Sequence, residues 1–358
     1  MRRFFATTAA RPSRARAALR WFARAAVLGT FLPGVLQAGA YSVEAMSTWW
    51  LELLQYVPYP AYLLPALGAF ALSFLLSRAW RVAAALSVAL VLTVVMGLVW
   101  GRADAGTEPL RMMTYNIKAY LPGPEPEAFD PLVREVARHD PDILVMQDAA
   151  ELTLRRQRTP ELAAGIFKGR HVYALGQYIV VSRFALRDCR PGTIAFRGHP
   201  HDYVRCIVSV HGRDIDLVTA HLLSPRRGLN ATRHEPVEGL DDWQQNFADR
   251  LVQAHQLAAD VATRTRPLIL AGDLNASEAS PVVRTLLDRG LRDAFASAGL
   301  GYGYTLGHAL RLGISFLRID HILVSPEIGV RDSFAGGREA SEHRPVIADL
   351  LLQRDDPR

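Results

Sequence analysis

The chain has 358 residues, half of them hydrophobic, with two cysteines and a formal net charge of +6 at neutral pH. That length holds one large domain with accessory segments, and two cysteines exclude a disulfide-rich mini-protein. Seven arginines among the first 24 residues carry the excess charge, so the rest is close to neutral and lacks the basic surface of a general nucleic-acid binder.

Residues 1–24 form a basic N-terminus in which Arg2, Arg3, Arg11, Arg14, Arg16, Arg20 and Arg24 have no acidic partner. Three uncharged runs follow, residues 25–43, 53–77 and 82–101. A bilayer core about 30 Å thick needs roughly 20 apolar residues of helix, so 25–101 is expected to be a membrane region with three transmembrane helices. The first loop carries Glu44 and the second carries Arg78 and Arg81. The positive-inside rule then puts the N-terminus in the cytoplasm and everything beyond Gly101 outside. This is the pattern of a multi-pass protein of the bacterial cytoplasmic (inner) membrane with a periplasmic or extracellular C-terminal region. "QAGA" at 37–40 is similar to a signal cleavage site, and cleavage there would not change that side.

"RADAGTEPL" (102–110) reads as a polar linker. Beyond it, "LRMMTYNI", "DILVMQD", "QYIVVSRF", "YVRCIVSVHG", "DIDLVTAHL", "PLILAGDLN", "RIDHILVS" and "RPVIADLLL" predict strands. "FDPLVREVARH" and "GLDDWQQNFADRLVQAHQLAADVATR" predict helices between them. The alternation implies an α/β sandwich with sheets covered by helices. Residues 224–239, "SPRRGLNATRHEPVEG", read as a long polar loop. Cys189 and Cys206 flank a turn-like stretch, where they either pair in an oxidising compartment or stay two buried thiols.

Polar residues collect at the ends of these strands: Asn116, Gln147 with Asp148, His221, Asp273 with Asn275, Asp320 with His321, and Glu342 with His343. One such residue is readily explained as a turn or cap; six sites in one chain point to chemistry. Oxygen ligands suit Mg²⁺ or Mn²⁺ better than zinc. Carboxylates beside histidines supply a base oriented by an acid. Together they suit water attack on a phosphate ester, with a metal offsetting the developing charge. Asp273 and Asn275, two residues apart in "GDLN", are expected to share one side of a strand end.

"TYNI", "ILVMQD", "TAHL", "GDLNA", "RIDHIL" and "SEHRPV", in this order across about 111–352, resemble the motif set of the endonuclease/exonuclease/phosphatase superfamily. The resemblance implies a deoxyribonuclease-like, four-layered α/β sandwich: two mixed β-sheets flanked by helices. It implies a divalent cation, Mg²⁺ or Mn²⁺, held by Asn116, Asp148 and Glu342. Asp273 and Asn275 would orient or activate the attacking water. His343, aligned by Asp320, and His221 would bind the scissile phosphate and move or stabilise charge. Arg205 and Asn275 would contact the phosphate, with Tyr115 and His321 structural. Two positions depart from the usual pattern: Asp148 stands where the family has Glu, and Glu342 where it has Asp. An ion displaced by about 1 Å toward residue 148 would keep both ligands.

A membrane-anchored phosphohydrolase or phosphodiesterase follows. Its partners would be the bilayer and a phosphorylated substrate, a lipid-linked phosphate or pyrophosphate in preference to nucleic acid. Similar domains behind several N-terminal spans occur in bacterial proteins associated with glycopeptide-antibiotic resistance and envelope lipid carriers. An exported metal-dependent nuclease and an inactive, tethered phosphate-binding module are the alternatives. "TLGHALRLGISFLRIDH" (305–321) adds apolar residues that either touch lipid or form an ordinary core strand and loop.

Overall fold

The computed structural model describes residues 14–40, 48–106, 109–119, 129–153, 165–235 and 237–352. They fall into two compact units, 14–40 with 57–97, and 48–56 with 98–352.

The first unit consists of helices α1 (Arg14–Ala40), α3 (Pro60–Ser73) and α4 (Arg78–Leu90), the last continuing as a π-helical turn over Val91–Val95. Small residues fill its interior, among them Ala23, Ala66, Ala69, Ala84 and Ser87, while Leu28, Leu32, Leu64, Phe74, Val82 and Leu86 are exposed. This inside-out distribution is the one that helices packing in lipid show. Two helical stretches, Arg14–Gly39 and Arg78–Val95, are long and apolar enough to cross a membrane. Of the three expected spans, the middle run carries the shortest helix, with 14 residues. At 1.5 Å per residue it reaches about 21 Å, short of a core of about 30 Å. The run 53–77 is divided: Pro58 lacks the N–H to continue a helix, and the chain before it, α2 (Trp49–Gln55), belongs to the second unit.

The second unit is built on two six-stranded sheets. One has the order β10 (Arg292–Asp293), β12 (Asp320–Val324), β9 (Leu268–Asp273), β8 (Arg213–His221), β7 (Asp202–Val210), β6 (Leu186–Thr193). The other has the order β13 (Ile328–Ala335), β14 (Val346–Leu352), β2 (Pro109–Asn116), β3 (Ile143–Gln147), β5 (Tyr178–Ser182), β4 (His171–Leu175). Parallel pairing of β2 with β3 and of β8 with β9, amid antiparallel neighbours, makes both sheets mixed.

Strand alternation sorts the side chains into layers. Met112, Val145 and Val180 of one sheet meet Leu217, Ile269, Ala271 and Ile322 of the other in the central core. Their neighbours Met113, Leu144 and Met146 face outward onto Leu132 and Val136 of α5 (Asp130–His139). Leu268 and Leu270 face outward onto Phe247, Ala254 and Leu257 of α7 (Glu238–Ala262) and Val282 of α8 (Pro281–Leu287). The result is the expected four-layered sandwich.

Three features differ from the sequence reading. Residues 224–239 contain a helix, α6 (Arg226–His234), where a loop was expected. Buried Gly228 lets α6 approach Trp243 of α7, where a Cβ would lie 3.1 Å from the tryptophan. Residues 98–106 form part of the sandwich unit: β1 (Val99–Trp100) pairs with β11 (Leu300–Gly301), and Asp104 accepts from Val330 N at 2.9 Å. α2 joins the same unit, with Trp243 Nε1 donating to Trp49 O at 2.8 Å. Cys189 and Cys206 form a disulfide between β6 and β7.

Candidate active site

Sheet register brings the polar strand ends together. In one sheet Asp273 stands opposite both His221 and Asp320; in the other, Asn116 stands opposite Gln147. Gly272 is obligatory for this arrangement, because a Cβ there would lie 1.9 Å from Ala220 O. Asn116 bridges the two sheets by donating from Nδ2 to Asp273 Oδ2 at 2.9 Å.

Asp273 is buried between two imidazoles, with His221 Nε2 at 3.5 Å and His343 Nε2 at 3.8 Å. His343 comes from the loop before β14 and is held at Nδ1 by Asp320 Oδ2 at 2.9 Å. Thr305 supports Asp320 by accepting the Ile319 and Asp320 amides. His221 is held at Nδ1 by Gln177 Oε1 at 2.6 Å, and its amide donates to the Tyr178 hydroxyl. Burial disfavours charge on both rings. At His343 the carboxylates of Asp320 and Asp273 outweigh burial and raise the pKa; at His221 burial prevails and lowers it. The two histidines therefore differ in their affinity for a proton across one carboxylate.

Asn275 reaches the site by a route that strand alternation did not anticipate. β9 ends at Asp273, and Asn275 takes a left-handed conformation with φ +49°. Its amide donates to Asp273 Oδ1 at 2.9 Å and its carboxamide to Leu222 O at 2.9 Å. The two residues are joined by an Asx-type turn.

Asp148 also has a left-handed backbone, φ +51°. Lys118 Nζ donates to its Oδ2 at 2.6 Å, and His221 Nδ1 lies 3.6 Å from its Oδ1. Burial alone would raise the Asp148 pKa, but the His221 and Lys118 charges outweigh it and leave the carboxyl below its ordinary value. Glu342 pairs with Arg226 Nη2 at 3.1 Å, at the edge of a groove. Arg205 is not brought to this cluster. Its guanidinium is bound by Asp216 at 2.8 Å and Asp260 at 3.2 Å, and Asp216 lies five residues before His221 in β8, roughly 16 Å along a strand. His321 is structural, spanning Asp293 Oδ2 at 2.7 Å and Ala276 O at 2.9 Å.

Among the described residues, Asp273, Asp320 and His343 offer ligand atoms within 4.8 Å of one another. Asp320 Oδ1 is buried with no hydrogen-bond partner. Buried carboxylates with spare oxygens, beside the Asn116 and Asp148 side chains, fit a hard divalent cation.

A groove of about 220 Å³ opens beside His343 and Asn275. One wall is the face of α6 carrying Arg226, Asn230 and Arg233, at helical spacings i, i+4 and i+7. The rest of the lining is largely apolar, with Leu229 of α6 joining Tyr56, Leu306, Leu310, Phe316, Leu317 and Ile319. Within residues 305–321, Leu317 and Ile319 are buried, whereas Leu310 and Leu312 are exposed. Gln177, Lys118, Thr305 and the α6 arginines escaped the sequence reading. Gln177 and Lys118 stand at strand ends like the residues that were found, so only that position could have marked them.

A profile of the Endonuclease/Exonuclease/phosphatase family matches residues 113–343. An endonuclease/exonuclease/phosphatase of Beutenbergia cavernae DSM 12333 is 18% identical with a TM-score of 0.51, covering 69% of this chain and 72% of its own. D. rerio TDP2 complexed with a single-strand DNA product is 14% identical with a TM-score of 0.54, covering 69% of this chain and 100% of its own. Humanized D. rerio TDP2 carrying 14 mutations is 15% identical with a TM-score of 0.53, at 69% and 100% coverage. These likenesses show the shared fold. No curated protein matches the chain.

Proposed function

This chain belongs to the endonuclease/exonuclease/phosphatase family of metal-dependent phosphoester hydrolases, and on that premise we propose that it is a membrane-anchored phosphohydrolase with an extracytoplasmic site, acting on lipid-linked phosphate or pyrophosphate of the cell envelope. The groove carries this reading. Arginines and apolar side chains lining one groove beside His343 suit an anionic headgroup on an apolar alcohol. The two spanning helices and the outward-facing leucines of the first unit support a bilayer location. The positive-inside pattern supports the orientation, in which α3 crosses together with α1 and α4 so that 48–56 and 98–352 lie on one side, and the disulfide supports an oxidising compartment.

Asn116 and Asp148 would hold Mg²⁺ or Mn²⁺ beside Asp273, with Glu342 able to join by releasing Arg226. The cation would offset negative charge developing on the phosphate. Asp273, with Asn275, orients the attacking water and takes up its proton. A P–O bond to water forms as the P–O bond to the alcohol or second phosphate breaks. His343, fixed by Asp320, donates a hydrogen bond to the phosphate oxygens, and His221, whose Nδ1 proton is engaged by Gln177, does so only once Nε2 takes up a proton.

The test is turnover by the full-length protein in detergent with Mg²⁺ or Mn²⁺. Farnesyl pyrophosphate and plasmid DNA would be offered in parallel, with EDTA and His343→Ala as controls. Metal-dependent phosphate release from the lipid alone is expected. Nicking of DNA alone would replace this reading with an exported nuclease. Binding of both without turnover would leave a tethered binding module.

A further inference from the structure

The segment 48–56 lies in the chain between helices α1 and α3, yet it is folded into the sandwich unit. There it reaches the turn that carries the chemistry. The Tyr56 hydroxyl donates to Asn275 O at 2.7 Å. Arg250 Nη1, from α7, lies 3.0 Å from the same carbonyl and 2.9 Å from the Tyr56 oxygen. Glu52 of α2 fixes that guanidinium through Oε1 at 3.2 Å. Arg250 and Glu52 are buried at 0% and 1% exposure, and the rings of Tyr56, Trp243 and Phe247 surround the cation at 5.4 to 5.9 Å.

A buried charge pair is expensive to desolvate and is retained only where its geometry is closely satisfied. Here it converges on the backbone of a residue whose positive φ L-residues seldom adopt. Asparagine tolerates this conformation better than most residues, and here its surroundings hold it in one geometry. Asn275 has three restraints: its amide to Asp273, its carboxamide to Leu222, and its carbonyl to Tyr56 and Arg250. The third originates in segment 48–56, directly from Tyr56 and through Glu52 for Arg250.

We propose that segment 48–56 completes the active site, with Tyr56 and Arg250 as positioning residues that fix the Asp273–Asn275 turn. The proposal rests on the hydrolase reading for its kinetic readout alone. The segment between helices α1 and α3 then has a second duty. It is a catalytic-domain element, and the unit that hydrolyses the substrate is not the contiguous chain after residue 98.

The experiment uses the full-length protein in detergent and the variant Tyr56→Phe, which keeps the ring and removes the donor. Turnover of the phosphate ester that the wild type hydrolyses best is measured with the amide exchange of residues 273–277 and 346–352. Expected are a loss of kcat of about tenfold, the scale of one lost hydrogen bond, with KM within about twofold. Exchange should accelerate at 273–277 and stay unchanged in β14. Leu257→Val, a cavity in the α7 core that removes no partner of Asn275, reports what general destabilisation does. Wild-type kcat and wild-type exchange in Tyr56→Phe would overturn the proposal. So would an equal loss in Leu257→Val at matched thermal stability. A wild type that hydrolyses no phosphate ester would sink the hydrolase reading instead, and the exchange comparison would still decide this proposal.

Discussion

His343 owes its orientation and its raised proton affinity to Asp320, through a 2.9 Å contact at Nδ1. Asp320→Asn keeps the volume but removes the charge that opposes burial of the imidazolium. We expect kcat to fall by about 10²–10⁴-fold, the usual worth of a positioned acid–base group. The double variant with His343→Ala should be little worse than His343→Ala alone, because residues acting as one unit are not additive. Steady-state kinetics on all three proteins check this. Arg226 predicts a different signature. It lines the groove and is exposed, so Arg226→Ala should raise KM for a pyrophosphate substrate and leave kcat within about threefold, as loss of uniform binding does. The residue scale also shows what sequence alone can reach. Asp273, Asp320, His221 and Asn116 were legible because each stands at the end of an apolar strand run, and His343 because it stands in the loop just before one. Arg205 was misplaced because a strand arginine looks the same whether its partners are phosphate or, as here, Asp216 and Asp260. Asn275 was right in place and wrong in reason, since backbone left-handedness at a non-glycine residue leaves no mark in composition.

Elements explain why these residues meet at all. The strands were legible as short apolar, β-rich runs, and the register that sets Asp273 against Asp320 and His221 follows once β9 is central. α6 was not legible: a short polar stretch with Gly228 in its middle becomes helical because it packs on Trp243, a tertiary cause. Asp293 caps α9 (Ala294–Ala298) and binds Arg318 Nη1 and His321 Nδ1, each at 2.7 Å, locking β10 and β12 to the turn after β9. Burial alone would raise its pKa, but Arg318 and His321 outweigh burial and hold it far below the ordinary carboxylate range. A depressed carboxylate contributes stability above its unfolded pKa, near 3.9, and loses that contribution as pH falls toward the folded value. Asp293→Asn should therefore cost about 3–5 kcal/mol at pH 7. The gap to wild type should narrow progressively below about pH 5, as denaturant melts across a pH series would report. The disulfide ties β6 to β7 across a separation of 17 residues. Replacing both cysteines with serine should cost about 3 kcal/mol by loop entropy and make stability insensitive to reductant, with little change in kcat.

At the scale of the whole molecule, the sequence and the structure divide the chain at different places. Hydropathy separates a membrane region up to residue 101 from a catalytic region after a linker, because a contiguous window cannot see a nine-residue piece that crosses into another unit. The structure assigns 48–56 and 98–106 to the sandwich, with Arg250 and Glu52 fully buried against each other. This makes a whole-molecule prediction that a simple anchor would not. If residues 1–97 only tethered the enzyme, a chain beginning at residue 98 would hydrolyse a water-soluble phosphodiester as well as the full-length protein does. Because removal of Glu52 leaves the Arg250 cation buried and unpaired, and removal of Tyr56 frees the Asn275 carbonyl, the shortened chain should be less stable and at least tenfold slower on that soluble substrate. Joining residues 42–56 to residue 98 through a flexible Gly/Ser linker, with 57–97 deleted, should restore stability and most of the turnover without any membrane helix. Side-by-side melts and soluble-substrate kinetics of the three chains decide the matter. Equal activity of the residue-98 chain would reduce the segment to packing, whereas rescue by 42–56 would show that the active site is assembled from both sides of the α3–α4 hairpin in the sequence.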